Sequence, residues 1–453
     1  MSPERKAFCA SIAASLKKPH RIVMVALVAL VPFSLVMVVS LAFGQGPVTE
    51  APTGFDNKTN GFDLQTDFDN DKGEFDQVEA ITDGLGPVYN AQSCRECHQN
   101  PVSGAISQIK EFRAGHLDGS GNFVGATVTL HDANGNPVVI AGRSLINQRA
   151  ICPGVDASQN FNFPNTYAQE RITTAETIRT TRKTTNTLGD GFVEAIANGT
   201  LTANRNAQCN TAPGDICGLA ISVPVFEANN ALRIGRFGWK DQQASLLSFS
   251  SDAYLNEMGI TNRFNATEVT SLCDTVADPE DKNLQPPFPA GFQDIDAFTR
   301  FMRSTKVPPR DATLLNNPDV QAGDALFNQI GCARCHTRTF TTAAAGTVIN
   351  GGALTVSAAL GNKNIHPFSD FLLHDVGTGD NIVQNGGPDS GHRMRTQPLW
   401  GIRMSNEHMH DGESLTFFES ILRHAGAATN VINNFRNLSA TQQEQVTKFL
   451  TSL

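Results

Sequence analysis

Two short patterns in the sequence carry the residue types and the spacing for redox chemistry: Cys94-Arg95-Glu96-Cys97-His98 and Cys332-Ala333-Arg334-Cys335-His336. Each sets two thiols three positions apart, with a histidine directly after the second. Two thiols so spaced can add to the two vinyl groups of one haem, and the histidine is then placed to ligate the iron. A zinc site would want a second ligand pair nearby, and a thioredoxin-like redox pair would want a βαβ context. Neither follows either motif. The duplication therefore predicts two covalently bound c-type haems, one on Cys94, Cys97 and His98 and one on Cys332, Cys335 and His336.

Covalent haem attachment belongs to exported proteins, and the N-terminus agrees. Lys17, Lys18, His20 and Arg21 precede an uncharged apolar run from Ile22 to Phe43, which is followed by the polar segment Gly44 to Thr49. A positive flank ahead of an apolar run sends the rest of the chain across the membrane. The run is long enough to span a bilayer, and Ala42-Phe43-Gly44 also offers small residues for signal peptidase. The expected location is periplasmic, either secreted by a cleaved signal peptide or tethered to the inner membrane. Of nine cysteines, Cys152, Cys209, Cys217 and Cys273 remain in the exported part, and two disulfides among them allow three connectivities. Cys209 with Cys217 closes the shortest loop, leaving Cys152 with Cys273.

The chain has 453 residues, with 35 Lys+Arg against 44 Asp+Glu for a formal charge of −9. That balance excludes sequence-tolerant nucleic-acid binding, which needs a basic surface. With 28 Phe and only 17% charged residues, most of the chain can bury enough apolar surface to fold. Asp67, Asp69 and Asp71 alternate as in a calcium loop, but Lys72 stands where the glycine should be and Val78 where the closing glutamate should be. A solvated helix start fits better, and calcium stays an open alternative. Ala126 to Ile140 reads as a β-hairpin turning at Asn134-Gly135. Asp294 to Met302 reads as a helix that Pro308-Pro309 stop. A second helix runs from Pro318 into Cys332, and a third, opened by the capping-box pattern Ser439-Ala440-Thr441-Gln442, closes the chain.

The halves also echo each other: Lys183-Thr184 then Leu188-Gly189 follows the first haem motif, and Arg395-Thr396 then Trp400-Gly401 follows the second. This predicts two related domains. The expected fold is mainly α, two cytochrome c-like haem domains with loop-rich and β-hairpin insertions, preceded by an N-terminal hydrophobic segment. Residues 1–44 would be the cytoplasmic n-region plus signal peptide or transmembrane anchor, 45–306 the N-terminal haem domain with insertions, and 307–453 the C-terminal cytochrome c-like domain.

Beyond these patterns, Gly84-Leu85-Gly86-Pro87 through Cys94, Gly235-Arg236-Phe237-Gly238-Trp239-Lys240, His366-Pro367-Phe368-Ser369-Asp370 through His374-Asp375, Pro398-Leu399-Trp400-Gly401 and His410-Asp411-Gly412 resemble the di-haem oxidoreductase (putative peroxidase) family. That family is related to bacterial di-haem cytochrome c peroxidases, to di-haem enzymes that mature the methylamine dehydrogenase cofactor, and to rubber oxygenases. The resemblance covers about residues 50–453. It departs at Thr185-Asn186, where relatives carry Pro-Pro.

The resemblance implies a division of labour between the irons. Aligning on His410-Asp411-Gly412 brings His424 to the position of the distal ligand of the C-terminal haem. Met404 and Met409 are the competing ligands, and a surface helix residue is the other reading of His424. No distal ligand is forced on the His98 haem, which suits an open catalytic position. Relatives place a carboxylate there to move a proton, and Glu194 is the candidate, although it also reads as a helix-start charge. Trp239 corresponds to the indole that relatives place between the haems, and it could equally be a core aromatic. His116, His131 and His392 read as structural.

The expected function is a peroxidase-type oxidoreductase with a catalytic N-terminal haem and an electron-transferring C-terminal haem. Its electrons would come from a small periplasmic donor of cytochrome c or cupredoxin type, and peroxide or another small oxidant would be its substrate. A pure electron carrier with two saturated irons and a rubber-oxygenase-like haem dioxygenase are the alternatives.

Overall fold

Apolar residues recur at helical spacing in only a few stretches, and these form the two helix pairs on which the rest is hung. In Asp294–Ser304, Ile295, Phe298, Phe301 and Met302 fall on one buried face and pack on Phe68 and Phe75 of the helix Gln65–Asp76. Phe301 lies 5.3 Å from Phe68 and 4.7 Å from Phe75 between ring centroids. The alternating aspartates sit on this same Gln65–Asp76 helix rather than in a loop, and the buried Asp71 accepts two hydrogen bonds from Arg300 at 2.6 and 2.8 Å.

The computed structural model describes residues 46–132, 134, 136–152, 154–156, 161–163, 169–211 and 216–453. Cys9, the apolar run Ile22–Phe43 and Gly135 of the expected turn lie outside the described residues. Among those described, no helix is long and apolar enough to cross a membrane. Gln45–Leu453 make up one compact unit.

The mainly-α expectation is corrected here: 31% of the chain is helical and 18% is strand. The hairpin expected from Ala126 to Ile140 is part of a larger antiparallel sheet, in the order Ile178–Lys183, Lys110–Leu117, Phe123–His131, Pro137–Arg143, with Leu145–Ile146 also paired to Lys110–Leu117. Alternation explains it: Ala126, Val128 and Leu130 point inward while Thr127, Thr129 and His131 point out. The inward face packs around Cys152, which is bonded to Cys273. Cys209 is bonded to Cys217. The remaining strand content comes from short pairings between loops, many of them two residues long.

The C-terminal motif is carried by the helix Pro318–Ile330, which crosses the closing helix Ala440–Thr451. Val320 and Phe327 pack against Phe449 and Leu450, with Phe327 and Phe449 rings 5.2 Å apart. The crossing is close because position 323 has no side chain: a Cβ there would land on the carbonyl of Gln445. Alanine at this position gains about 1 kcal/mol of helix propensity but collides with backbone that cannot yield. Gly323→Ala should therefore be net destabilising by about 1–3 kcal/mol, the usual cost of overpacking, read as a lowered midpoint in denaturant unfolding.

Candidate active site

The C-terminal motif lies at the mouth of its helix. Gly331, at φ 105°, ends the helix and turns Cys332, Cys335 and His336 into a cavity of about 240 Å³. His336 donates from Nδ1 to the carbonyl of Phe368 at 2.9 Å. Across from it stands His424, just beyond the helix Phe417–Leu422, donating from Nδ1 to the carbonyl of Ser420 at 2.7 Å. A carbonyl can only accept, so both rings keep their hydrogen on Nδ1 and offer Nε2 as a ligand atom. The ring centroids are 6.5 Å apart. Two metal–nitrogen bonds of about 2 Å each, plus half a ring on either side, come to roughly 6 Å, so the pair fits an iron between them. Burial pushes His336 down to about 4 and lowers His424 as well, favouring the neutral imidazole a metal needs. Met409 lines the same cavity.

The N-terminal motif opens on a second cavity, of about 320 Å³. The one-turn helix Cys94–Cys97 is capped by Ser93, which accepts from Glu96 N–H at 3.2 Å. His98 follows, its Nδ1 3.3 Å from the carbonyl of Ala105, and burial lowers it to about 4. No other histidine and no methionine is among the described residues lining this cavity. Its wall is polar. One part is a stripe on the helix Leu246–Met258, where Phe249, Asp252, Ala253, Asn256 and Glu257 fall at i, i+3, i+4, i+7 and i+8. Another comes from the sheet, where Glu111 and Arg113 point the same way two positions apart. Arg113 grips Glu111 with two hydrogen bonds, at 2.6 and 2.9 Å. Burial disfavours the Glu111 charge, but Arg113 outweighs it and holds this carboxyl below its ordinary value. Glu257, hydrogen-bonded to Glu111, is raised to about 8 by burial and then by that neighbouring charge. The pair thus shares one proton at neutral pH.

Lys183, Thr184, Thr185 and Trp239 line both cavities. Trp239 donates from Nε1 to the carbonyl of Lys183 at 2.6 Å and meets the His410 ring edge-on at 6.0 Å. The unusual Thr185-Asn186 loop lies at the same junction, with both residues on the C-terminal cavity.

Glu194 is not brought to either cavity. It is fully buried, and its carboxylate accepts from Arg303 at 2.7 and 3.0 Å, from Leu246 N–H at 2.9 Å and from Asn350 at 2.9 Å. Glu257 and Glu111 were missed in the sequence because a polar stripe on a helix and a charge on a strand both read as solvent-facing. The available signal was the other face of the helix: Leu246, Ser250, Tyr254 and Met258 are buried, so its polar stripe needed a wall of its own.

Two histidines facing across one cavity, a lone motif histidine in the next and an indole on their common wall are what a two-haem protein would need. Residues 159–453 match the model of the family described as di-haem oxidoreductase, putative peroxidase, and the chain belongs to that family. The family's description names two haems and an oxidoreductase activity. No curated protein matches it. Among solved structures it is similar to the hydrazine synthase of Kuenenia stuttgartiensis (18% identity, 35% of this chain and 55% of that chain, TM-score 0.24). It is likewise similar to a MauG-like protein associated with microbial copper homeostasis (19% identity, 35% and 52%, TM-score 0.24). The match therefore spans about half the length of each of those chains.

The Glu194 geometry makes a test of its own. Burial raises the Glu194 carboxyl, but Arg303 outweighs burial and depresses it overall. Its stabilisation is therefore full above the ordinary glutamate value of about 4.3 and is lost as pH falls through the lower folded value. Glu194→Gln should cost about 3–5 kcal/mol, as breaking a buried pair does, and should flatten the acid limb of the stability profile measured by denaturant unfolding.

Proposed function

We propose that the protein is an exported di-haem peroxidase. In this reading Cys94, Cys97 and His98 hold a catalytic c-type haem in an N-terminal domain (45–306), and Cys332, Cys335, His336 and His424 hold an electron-transferring one in a C-terminal domain (307–453). The observation that carries the division is the asymmetry of the two cavities. One sets a second histidine opposite the motif histidine, whereas the other is lined by His98 and a carboxylate pair, with no second histidine or methionine among its described lining residues. Bound haem supplies an iron able to take up and release single electrons.

The chain's own residues do the rest. Reduction of a peroxide consumes two electrons and two protons and yields water and an alcohol, or two waters from hydrogen peroxide. The Glu111–Glu257 pair can take the proton from one peroxide oxygen and return it to the other, because it holds a single proton between two acceptors. Arg113 keeps Glu111 ionised, so the shared proton sits on Glu257. Trp239, on the wall between the cavities, would be the route for electrons from the His336 side. A small periplasmic donor of cytochrome c or cupredoxin type would supply them, with the protein either free in the periplasm or tethered to the inner membrane.

Stopped-flow mixing of the reduced protein with hydrogen peroxide tests this. The oxidation rate should hold a plateau below pH about 8 and fall above it, since the active, singly protonated pair is lost as pH rises through the Glu257 value. Glu257→Gln should slow the step by about 10²-fold or more with haem content unchanged. Trp239→Phe should leave the first oxidation intact and slow the arrival of the second electron. Peroxide that fails to oxidise the protein at any pH would instead identify an electron carrier.

A further inference from the structure

Asp370 and His374 lie in the His366–Asp375 segment and have no part in the chemistry above, yet they are among the most enclosed polar side chains: Asp370 is 0% exposed and His374 2%. His374 Nε2 is 2.7 Å from Asp370 Oδ2. The same oxygen accepts from Gln208 at 2.7 Å, and Leu372 N–H donates to Oδ1 at 3.0 Å. The other ring nitrogen, Nδ1, is 3.8 Å from the sulfur of Cys335, and His374 lines the C-terminal cavity.

The ring has no freedom to leave this position. Leu373–His374 pairs with Met394–Arg395 on one side, and Leu373 exchanges hydrogen bonds with Leu219 on the other. Gly218 closes over it: a Cβ there would come within 2.7 Å of Leu372 and 2.8 Å of His374 Nε2. The Cys209–Cys217 disulfide ties down the segment that ends at this glycine.

The two contacts set what each ring nitrogen faces. Nε2 faces a carboxylate oxygen and so carries a hydrogen. A thioether sulfur offers only lone pairs, so the Nδ1 contact is a hydrogen bond when Nδ1 carries a hydrogen as well. A ring with both is an imidazolium. Burial opposes that charge, but Asp370 first and then the free Cys335 thiol outweigh it and hold His374 well above the usual histidine range.

We propose that His374, held by Asp370, is a positioning residue of the C-terminal haem: its Nδ1–H donates to the Cys335 thioether sulfur and raises the reduction potential of that haem. The proposal rests on the reading of Cys332, Cys335 and His336 as a haem attachment site. Reduction adds one electron and no proton at the iron, and a fixed donor and positive charge beside the tether favour the electron-rich state.

The test is a spectroelectrochemical titration of the full-length protein, following the low-spin haem and the second haem separately. His374→Leu and the near-isosteric Asp370→Asn should each lower the potential of the low-spin haem by a tenfold change in its reduction equilibrium or more, about 59 mV for a one-electron couple, and leave the other haem unmoved. An Asp370→Asn protein with both haems attached and both potentials unchanged overturns the proposal. So does an equal shift at both haems, which a general loosening would produce, and so does loss of the Cys335 thioether in both variants, which would make the pair an attachment device. Wild-type protein without haem on Cys335 overturns the site assignment and the proposal together, whereas unmoved potentials overturn the proposal alone.

Discussion

The 2.6 Å hydrogen bond from Trp239 Nε1 to the carbonyl of Lys183 holds the one wall that both cavities share. Lys183 ends the strand Ile178–Lys183, and its own N–H donates to the carbonyl of His410 at 2.6 Å. The strand brings Arg182 to the N-terminal cavity and Lys183 to both. The indole and that strand end therefore fix how close the two sites come and what lies between them. An electron route needs a rigid, unchanging separation, and a single directed hydrogen bond to backbone supplies it better than apolar contact alone.

Buried charge braces this wall from behind. Lys240, next to Trp239, is fully buried and donates to the carbonyls of Ser390, Gly391 and Arg393 at 2.9, 3.1 and 2.7 Å. It also pairs with Asp380 at 2.8 Å, which Arg182 reaches at 2.7 Å. Burial alone would raise the Asp380 carboxyl, but the two cations pull it down to about 2. Such a network adds little net stability. Its effect is geometric: it locks the Gly238-Trp239-Lys240 turn, the strand end and the Pro388–Arg393 loop to one another.

The cysteines and histidines of the two motifs were legible in the sequence because they stand at a fixed local spacing. His424 was legible only through its distance from His410-Asp411-Gly412, and the structure sets it 6.5 Å from His336, ring to ring. The helices Asp294–Ser304 and Ala440–Thr451 were legible from period and capping. The sheet was under-read, since Lys110, Glu111 and Arg113 of Lys110–Leu117 and Arg182 and Lys183 of Ile178–Lys183 are charges that serve a cavity rather than solvent. Glu194 misled for the converse reason: a glutamate at a helix start looks available, and only the distant Arg303, 109 positions along, shows that it is taken. Long-range pairings of this kind leave no trace in local pattern.

The central claim is that the two irons differ, one closed between His336 and His424 and one open above His98. Electron paramagnetic resonance of the oxidised full-length protein, with and without cyanide, tests it most directly. The account expects one low-spin ferric signal that cyanide leaves alone and that His424→Ala converts to high spin, and a second haem whose signal cyanide changes. Two low-spin signals, both indifferent to cyanide and unaltered by His424→Ala, would contradict it.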